Sequence, residues 1–414
     1  MNTADAKQTA EILRILSVST IIFSVSGILS GVLHGHNHFF LPVLAPIFQD
    51  LGLLFGVIFF TGPFGIHGLA WGVLLGAVMH FAVQIPGLFM FKFQWMPELG
   101  WRDPQLRKVI RLMLPRVLIG AAFLINLITI NNINSRLGEG AASAFSWGIR
   151  IIDIPEALIG TAIAVVIFPT LSALSSMGRV EERRAAFSAV MRFILVATIP
   201  ATAGIILIAE DAIRFLFNET ETARILTAVY VMSLAIVFQS LHEVLSRAFY
   251  AQQDTLRPLI YSVVATVITV IWVVVMYQVY LINRPPTWSL IAVGAPAAGY
   301  VITFIVEVVL LTVVLKRQWG DIALPELTRV TLRTLAGTAI MVIVVFLVDQ
   351  IVNAAGFSTY RRIHILIRVS IEIIAGGVAF IAAGMLLDIR EVYHLMYLIL
   401  KRRLPEPTPV KIAT

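Results

Sequence analysis

The sequence predicts an all-α, multi-pass membrane protein with about eleven transmembrane helices. Three observations carry that reading. Of the 414 residues, 58% are hydrophobic and only 13% are charged, against about 25% charge in soluble globular chains. The mean hydropathy is +0.89. The apolar residues also gather in runs of roughly 18 or more, the length a helix needs to cross a hydrocarbon core. Inside lipid the backbone must satisfy its own hydrogen bonds, which leaves helices or closed barrels. Barrel strands alternate apolar and polar residues over about ten positions, and these runs do not alternate.

The first helix, Ile12–Leu33, follows a polar start and is long enough to span, so it does not read as a secretory signal. Val43–Phe60 opens behind Pro42, where a missing donor costs nothing. Ile66–Phe91 and Val109–Asn131 follow, separated by a basic loop. Ala141–Leu174 is too long for one straight span, and Pro155 with Gly160 is expected to bend it. Phe193–Leu216 and Ala223–Phe249 come next, with 176–192 read as the loop before the former. Leu259–Ile282 opens behind Pro258, and Leu290–Leu315, Leu335–Val352 and Ile363–Leu387 complete the spans. A final amphipathic stretch, Glu391–Lys401, ends in Lys401-Arg402-Arg403 and is expected on the membrane surface.

The net charge of +7 is explained by topology, since lysine and arginine mark cytoplasmic loops. Lys92, Arg102, Arg107 and Lys108 lie on one side, as do Arg179, Arg183, Arg184 and Arg192, then Arg247 and Arg257, then Lys316, Arg317, Arg329 and Arg333, then the tail. The opposite loops hold only Arg136, Arg214, Arg224, Arg284, Arg361 and Arg362. The C-terminus is therefore expected in the cytoplasm, and nucleic acid is not an expected partner. That orientation puts Met1 outside, which an odd number of further helices upstream would relieve. The chain has no cysteine, so disulfides and thiolate metal sites are excluded.

An internal repeat is legible, its first four matches at a constant offset. Ser30, Leu33, Gly35 and Pro42 correspond to Ser246, Phe249, Ala251 and Pro258, and Gly68-Leu69-Ala70 echoes Gly294-Ala295-Pro296. Such repeats are the architecture of secondary transporters, whose substrate site lies between the halves. Six helices from Val109 to Leu315 form one half and three form the other, so symmetry predicts three more before the first.

Ionisable residues within spans are costly and are functional candidates. Arg150 and Asp153 share one helix face, with Glu156 three residues on. Arginine forks onto phosphate oxygens, so Arg150 is a candidate for an anionic head group and Asp153 for orienting it; the alternative is a self-neutralising pair. Asn126, Asn131 and Asn132 line a neighbouring helix near Ser143, either facing a cavity or bonding adjacent helices. Glu243, beside His242, is a candidate ion or proton site; Glu307 has no obvious partner; Arg368 and Glu372 read as an intrahelical pair. His34, His36 and His38 read as a solvated turn rather than a metal site. No GxxxxGK[ST], HExxH or GxSxG motif is present, so neither an ATP-driven pump nor a hydrolase is indicated. The expectation is of no enzyme activity, no cofactor and no metal.

These residues resemble the MurJ (MviN-like) lipid II flippases, of the MOP transporter superfamily. The most specific stretch holds Arg247, Phe249, Tyr250, Ala251, Asp254, Thr255 and Pro258. A second holds Arg150, Asp153, Pro155, Gly160, Phe168, Pro169 and Ser172; Ile199-Pro200 with Gly204, and Ile28 to Leu33 with Phe39, Pro42 and Pro46, also match. The resemblance implies two six-helix lobes around a central cavity and two extra C-terminal helices that supply a groove for a lipid tail. It also implies alternating access, driven by membrane potential or an ion gradient. The undecaprenyl-diphosphate disaccharide-pentapeptide, lipid II, would move from the inner to the outer leaflet of the bacterial inner membrane. Arg150 matches the family's cavity arginine, Ser143 a cavity serine, and Asp153 a family carboxylate. Gln49-Asp50 stands where the family often has asparagine.

On this resemblance 1–91 is the remainder of an N-terminal lobe lacking its first three helices, and 92–318 the C-terminal lobe. Residues 319–390 are the two additional helices, and 391–414 an amphipathic, basic cytoplasmic tail. The alternatives are a flippase for another undecaprenyl-linked oligosaccharide, or a non-transporting scaffold of the divisome or elongation machinery. A scaffold would tolerate Arg150→Ala and depend on its cytoplasmic loops. Lipid II, membrane lipids and those cell-wall proteins are the partners expected.

Overall fold

The computed structural model describes residues 3–36, 38, 40–91, 103–138, 140–217, 219–283, 290–355 and 362–400. Lys92, Arg102, Arg284, Arg361 and Lys401-Arg402-Arg403, used above for orientation, lie outside them. Every regular element described is helical. Ten helices are long and apolar enough to cross a membrane, or up to 11 with one bent pair counted as a span. The protein is thus an all-α, multi-pass membrane protein. Its outward surface agrees, with Ile21, Ile28, Ile58, Leu158, Val166 and Ile374 all exposed, a display that water would not tolerate and lipid does.

The chain divides into two compact units, Met1–Gly100 and Trp101–Thr414. In the first, α1 (Thr3–Gly35) and α2 (Phe40–Phe55) both pack on α4 (Ile66–Ala82). A π turn, Gly56–Phe60, and the single turn α3 (Thr61–Phe64) prolong α2. Gly65, at φ +55°, then reverses the chain, a backbone geometry open to glycine at little cost. The short α5 (Ile85–Met90) completes the unit.

What joins α2 to α4 is glycine. In antiparallel register Gly52 faces Gly76, Gly56 faces Gly72, and Gly68 faces the Phe60 carbonyl; a Cβ on Gly52 would stand 2.4 Å from the Gly76 Cα. Bare backbones in van der Waals contact are how helices associate where lipid is as apolar as leucine. The four-residue spacing of these glycines was legible in the sequence. Gly56→Leu is expected to lower stability by about 1–3 kcal/mol through overpacking, read as a lower unfolding midpoint in detergent. An unchanged midpoint would mean that the contact carries no load. A polar cluster joins α1 to α4: buried Gln84 donates to Ser26 Oγ and accepts from Ser30 Oγ, both at 2.7 Å, and Ser26 meets His80 Nδ1 at 2.7 Å.

The second unit opens with α6 (Pro104–Asn134), whose first turn is capped by Asp103 accepting from the Gln105 amide at 2.8 Å. Helices α7 (Ala141–Glu156) and α8 (Ala162–Ser176) join through a π turn, Ala157–Thr161, directly after Pro155. Ala141–Ser176 runs as one span, without the break of more than 40° seen elsewhere, so the bend expected at Pro155 and Gly160 is at most a local widening at the π turn. Helix α9 (Val180–Leu216) begins thirteen residues before the sequence expectation of Phe193. Most of the expected loop 176–192 is helix, because its charges pair along the helix surface: Arg184 with Glu181 at 2.9 Å, and Arg179 with Glu182.

The span expected over Ala223–Phe249 is broken into α10 (Glu219–Met232) and α11 (Leu234–Tyr250), bent by 42°. Ser233 makes the break. Its hydroxyl donates to the Tyr230 carbonyl at 2.8 Å, while its own carbonyl accepts from Ile236 N–H at 3.1 Å and lies 3.4 Å from the Thr202 hydroxyl. Helices α12 (Leu256–Asn283), α13 (Ala295–Trp319), α14 (Leu324–Ala354), α15 (Arg362–Leu386) and α16 (Arg390–Leu400) follow.

The pair α14–α15 lies on α9 and is fastened to it near both ends. At one, Arg192 on α9 reaches Glu326 on α14 at 3.2 Å and Glu391 on α16 at 2.9 Å. At the other, buried Arg368 on α15 meets Asp211 on α9 at 2.7 Å and Glu372 on its own helix at 3.3 Å, and also pairs with Asp349 on α14. Arg192 and Arg368's partner Asp211 stand roughly 28 Å apart along α9, at 1.5 Å per residue. Between them lies an apolar slot of about 290 Å3, lined by Pro200, Gly204, Gly376, Gly377 and Phe380 among others, with Glu372 at its border.

Candidate functional site

Helix α7 starts at Gly140, whose φ of +84° and missing Cβ admit the Arg224 side chain, with Arg224 NH1 2.5 Å from where a Cβ would stand. One face of α7 is small and apolar, with Ala141, Ala144, Phe145, Gly148 and Ile152 buried, chiefly toward α10. Ser143 and Arg150, seven residues apart, stand exposed on another face with Trp147 between them. The spacing i, i+4, i+7 puts all three in one line.

Arg150 forms no hydrogen bond and no ion pair with a described residue. Asp153 lies within its electrostatic reach, yet the two do not close a salt bridge. Asp153 is half-buried and lies beside the Gln239 side chain of α11, and Gln239 accepts from the Tyr300 hydroxyl on α13 at 3.3 Å. The aspartate thus has a polar neighbour on the interior side, while the arginine projects outward.

Gly160, in the π turn, brings α7 and α8 against α11. A Cβ there would stand 2.7 Å from the Ser240 Cα and 2.3 Å from its hydroxyl. That approach buries Glu156, whose carboxylate accepts from Thr161 at 3.2 Å. Glu156 also lies within electrostatic reach of Asp153, Glu243 and Arg247.

The remaining sequence candidates fall elsewhere. Asn126 is buried and donates to Thr303 on α13 at 2.7 Å; Thr303 also meets Thr269 on α12 at 2.9 Å. This is a hydrogen-bonded tie among α6, α12 and α13, apart from the exposed face of α7. Asn131 is half-buried and bonds the Leu127 carbonyl of its own helix at 3.0 Å. Glu243 pairs with Arg247 one turn on. The structure therefore groups Ser143, Arg150 and Asp153, and separates Asn126, Asn131 and Glu243 from them. Among the described residues no group of three or more His, Cys, Asp or Glu side chains is arranged to hold a metal ion; the rings of His36 and His38 lie against Phe91.

Four neighbours were not found from the sequence: Gln239 for Asp153, His242 for Glu307, and Asp211 and Asp349 for Arg368. The signal present was polar spacing. Gln239, His242, Glu243 and Ser246 recur every three or four residues on α11, and Tyr300 and Glu307 stand seven apart on α13.

Compared with known proteins, residues 1–366 match the family model of the lipid II flippase MurJ. A lipid II flippase MurJ of Burkholderia cenocepacia is 28% identical over 269 residues, 62% of this chain and 52% of that one. The chain spans about half the length of the curated relatives it matches. Among solved structures, a lipid II flippase MurJ in an inward closed conformation superposes with a TM-score of 0.67 at 20% identity, over 95% of this chain and 75% of that one. A MATE structure superposes with a TM-score of 0.60 at 18% identity, over 78% and 71%. At these identities the superpositions establish a shared fold.

Proposed function

Because this chain belongs to the lipid II flippase MurJ family, whose members are transporters and not enzymes, we propose that it moves lipid II across the bacterial inner membrane by alternating access. The observation that carries the reading is Arg150, a guanidinium on a membrane-spanning helix that no described side chain neutralises. An intramembrane charge is costly and is retained where it serves a pathway. A diphosphate supplies the missing counter-charge, and arginine meets it with two parallel charge-assisted hydrogen bonds.

Asp153, beside Gln239, repels that same diphosphate and keeps Arg150 from being trapped in one geometry, so the complex forms and releases. Ser143, in line on the same face, offers a hydroxyl to the phosphate or first sugar. The slot beside Gly376 and Gly377 suits an isoprenoid tail, being apolar and lined by small residues. On this reading α14 and α15 form an accessory pair behind the lobe of α6–α13, and the C-terminal tail lies in the cytoplasm.

The test is transport in vesicles. The reconstituted protein is expected to translocate a fluorescent undecaprenyl-diphosphate disaccharide-pentapeptide, and unlabelled lipid II to suppress the signal. Equal suppression by an undecaprenyl-linked O-antigen unit would move the assignment to that class of oligosaccharide. Absence of any movement would overturn the reading.

A further inference from the structure

Glu307 on α13 is buried in a membrane-spanning helix, and its ion-pair partner is His242 on α11, with Nε2 to Oε2 3.2 Å apart. The same Nε2 lies 3.0 Å from the Ser246 hydroxyl. The other ring nitrogen, Nδ1, is buried and finds no partner among the described residues, and the ring packs near Phe304 with centroids 5.7 Å apart.

We propose that His242 and Glu307 form a proton-binding site that couples transport to a proton gradient; the coupling rests on the transporter reading above. A carboxylate only accepts, and a serine hydroxyl can donate or accept. With both ring nitrogens protonated, the imidazolium donates from Nε2 to Glu307 and the buried carboxylate has its counter-charge. With one proton lost the imidazole is neutral: as the Nε2–H tautomer it still donates to Glu307 but supplies no counter-charge, and as the Nδ1–H tautomer it accepts from Ser246 and leaves Glu307 facing a lone pair across 3.2 Å. Leaving one partner of a buried pair uncompensated is strongly destabilising. Loss of the proton therefore favours separation of α11 from α13, and return of the proton brings them together. In the separated state Nδ1 gains access to the partner it lacks here. The proton enters from one aqueous side, binds the imidazole–carboxylate pair, and leaves to the other, with no other bond made or broken.

Charged and titratable groups also stand on the elements packed around α11. Helix α7 presents Asp153 and Glu156, and α13 presents Tyr300 besides Glu307. On α11 itself stand Glu243, Arg247 and Tyr250, with Arg116 of α6 over the Tyr250 ring at 4.2 Å. Helices α8 and α9 meet this part of α11 with apolar side chains, through Ala164, Leu171, Ile194 and Leu195. Glu243 has its counter-charge in Arg247, which leaves His242–Glu307 as the pair whose neutrality depends on one proton. Gln239, three residues before His242, lies beside Asp153, so movement of α11 reaches the helix that carries Arg150.

Two measurements decide it. Proton uptake by the protein in nanodiscs, titrated from neutral to acidic pH, is expected to fall by about one proton per chain in both His242→Gln and Glu307→Gln. Both substitutions keep size and polarity, and only variants with the wild-type unfolding midpoint are compared. Uptake equal to wild type in both would overturn the site, whether or not any lipid moves. In vesicles, an imposed pH gradient is expected to speed lipid movement several-fold for wild type and to leave either variant at its gradient-free rate. Wild-type movement indifferent to the gradient would overturn the coupling and leave the flippase reading intact. If no lipid moves, the flippase reading and the coupling fail together, and proton uptake still decides whether the pair binds a proton.

Discussion

Vesicles carrying the Arg150→Ala protein are expected to move lipid-linked diphosphate no faster than protein-free vesicles, while the protein inserts and unfolds as wild type does. The two halves of that expectation have separate causes. Arg150 is exposed and forms no ion pair with a described residue, so its removal leaves no buried charge behind, and a change of stability within about 0.5 kcal/mol follows. On the proposed function, its loss removes two charge-assisted hydrogen bonds to the diphosphate, each about 1.5–3 kcal/mol. Every 1.4 kcal/mol is roughly a factor of ten, so the combined effect is a loss of roughly a hundredfold or more. Arg150→Lys keeps the charge and loses the fork, and should fall between. Asp153→Asn, which keeps the side-chain shape, should alter release more than capture. Undiminished movement in Arg150→Ala would remove the arginine from the pathway and favour a scaffold role.

The largest stability effect is expected at Arg368. Its guanidinium meets Asp211 at 2.7 Å, Glu372 at 3.3 Å, the Asn353 amide oxygen at 2.5 Å, and also Asp349. The adjoining cavity of about 250 Å3 is lined by Glu210, Asp211, Asp349 and Glu372, with only Arg214 and Arg368 opposing them. Arg368→Met would leave three carboxylates together without their shared cation. Breaking a buried ionic cluster by removing one partner costs about 3–5 kcal/mol. The unfolding midpoint should drop sharply, and α14–α15 should become accessible to protease before the rest of the chain. Adding Asp211→Asn, Asp349→Asn and Glu372→Gln to Arg368→Met should recover much of the loss, because the groups that the arginine had paired are then neutral. A wild-type midpoint for Arg368→Met would mean that water reaches these carboxylates freely.

Arg368 also shows how a local rule reads part of a site and misses its extent. The i, i+4 spacing with Glu372 predicts an intrahelical pair, and that contact is present, though at 3.3 Å it is longer than the one to Asp211. Asp211 is more than a hundred residues away in the chain, and no periodicity connects the two. The loop expected over 176–192 failed for the converse reason. Its charges signal solvent, and solvent was taken to mean loop, whereas alternating charges pair well along an exposed helix. The break at Ser233 carried no glycine or proline to announce it. It depends on a hydroxyl turned back on its own helix and on Thr202 approaching from α9.

The sequence by itself determined that this chain lives in a membrane, roughly where its spans lie, and the family to which it belongs. Hydropathy is a sum over neighbours in the chain, and motif spacing is counted along it, so both survive without a structure. It also placed Arg150 and Asp153 on one helix face, since a helix converts spacing into direction. Only the tertiary structure decided which charges are compensated. Among the described residues Arg150 has no ion pair, Asp153 lies beside Gln239, Glu243 pairs with Arg247 and Glu307 with His242. The strength of an ionic contact depends on a few ångströms between atoms and on the water excluded around them. Neither quantity exists until helices far apart in the chain have packed.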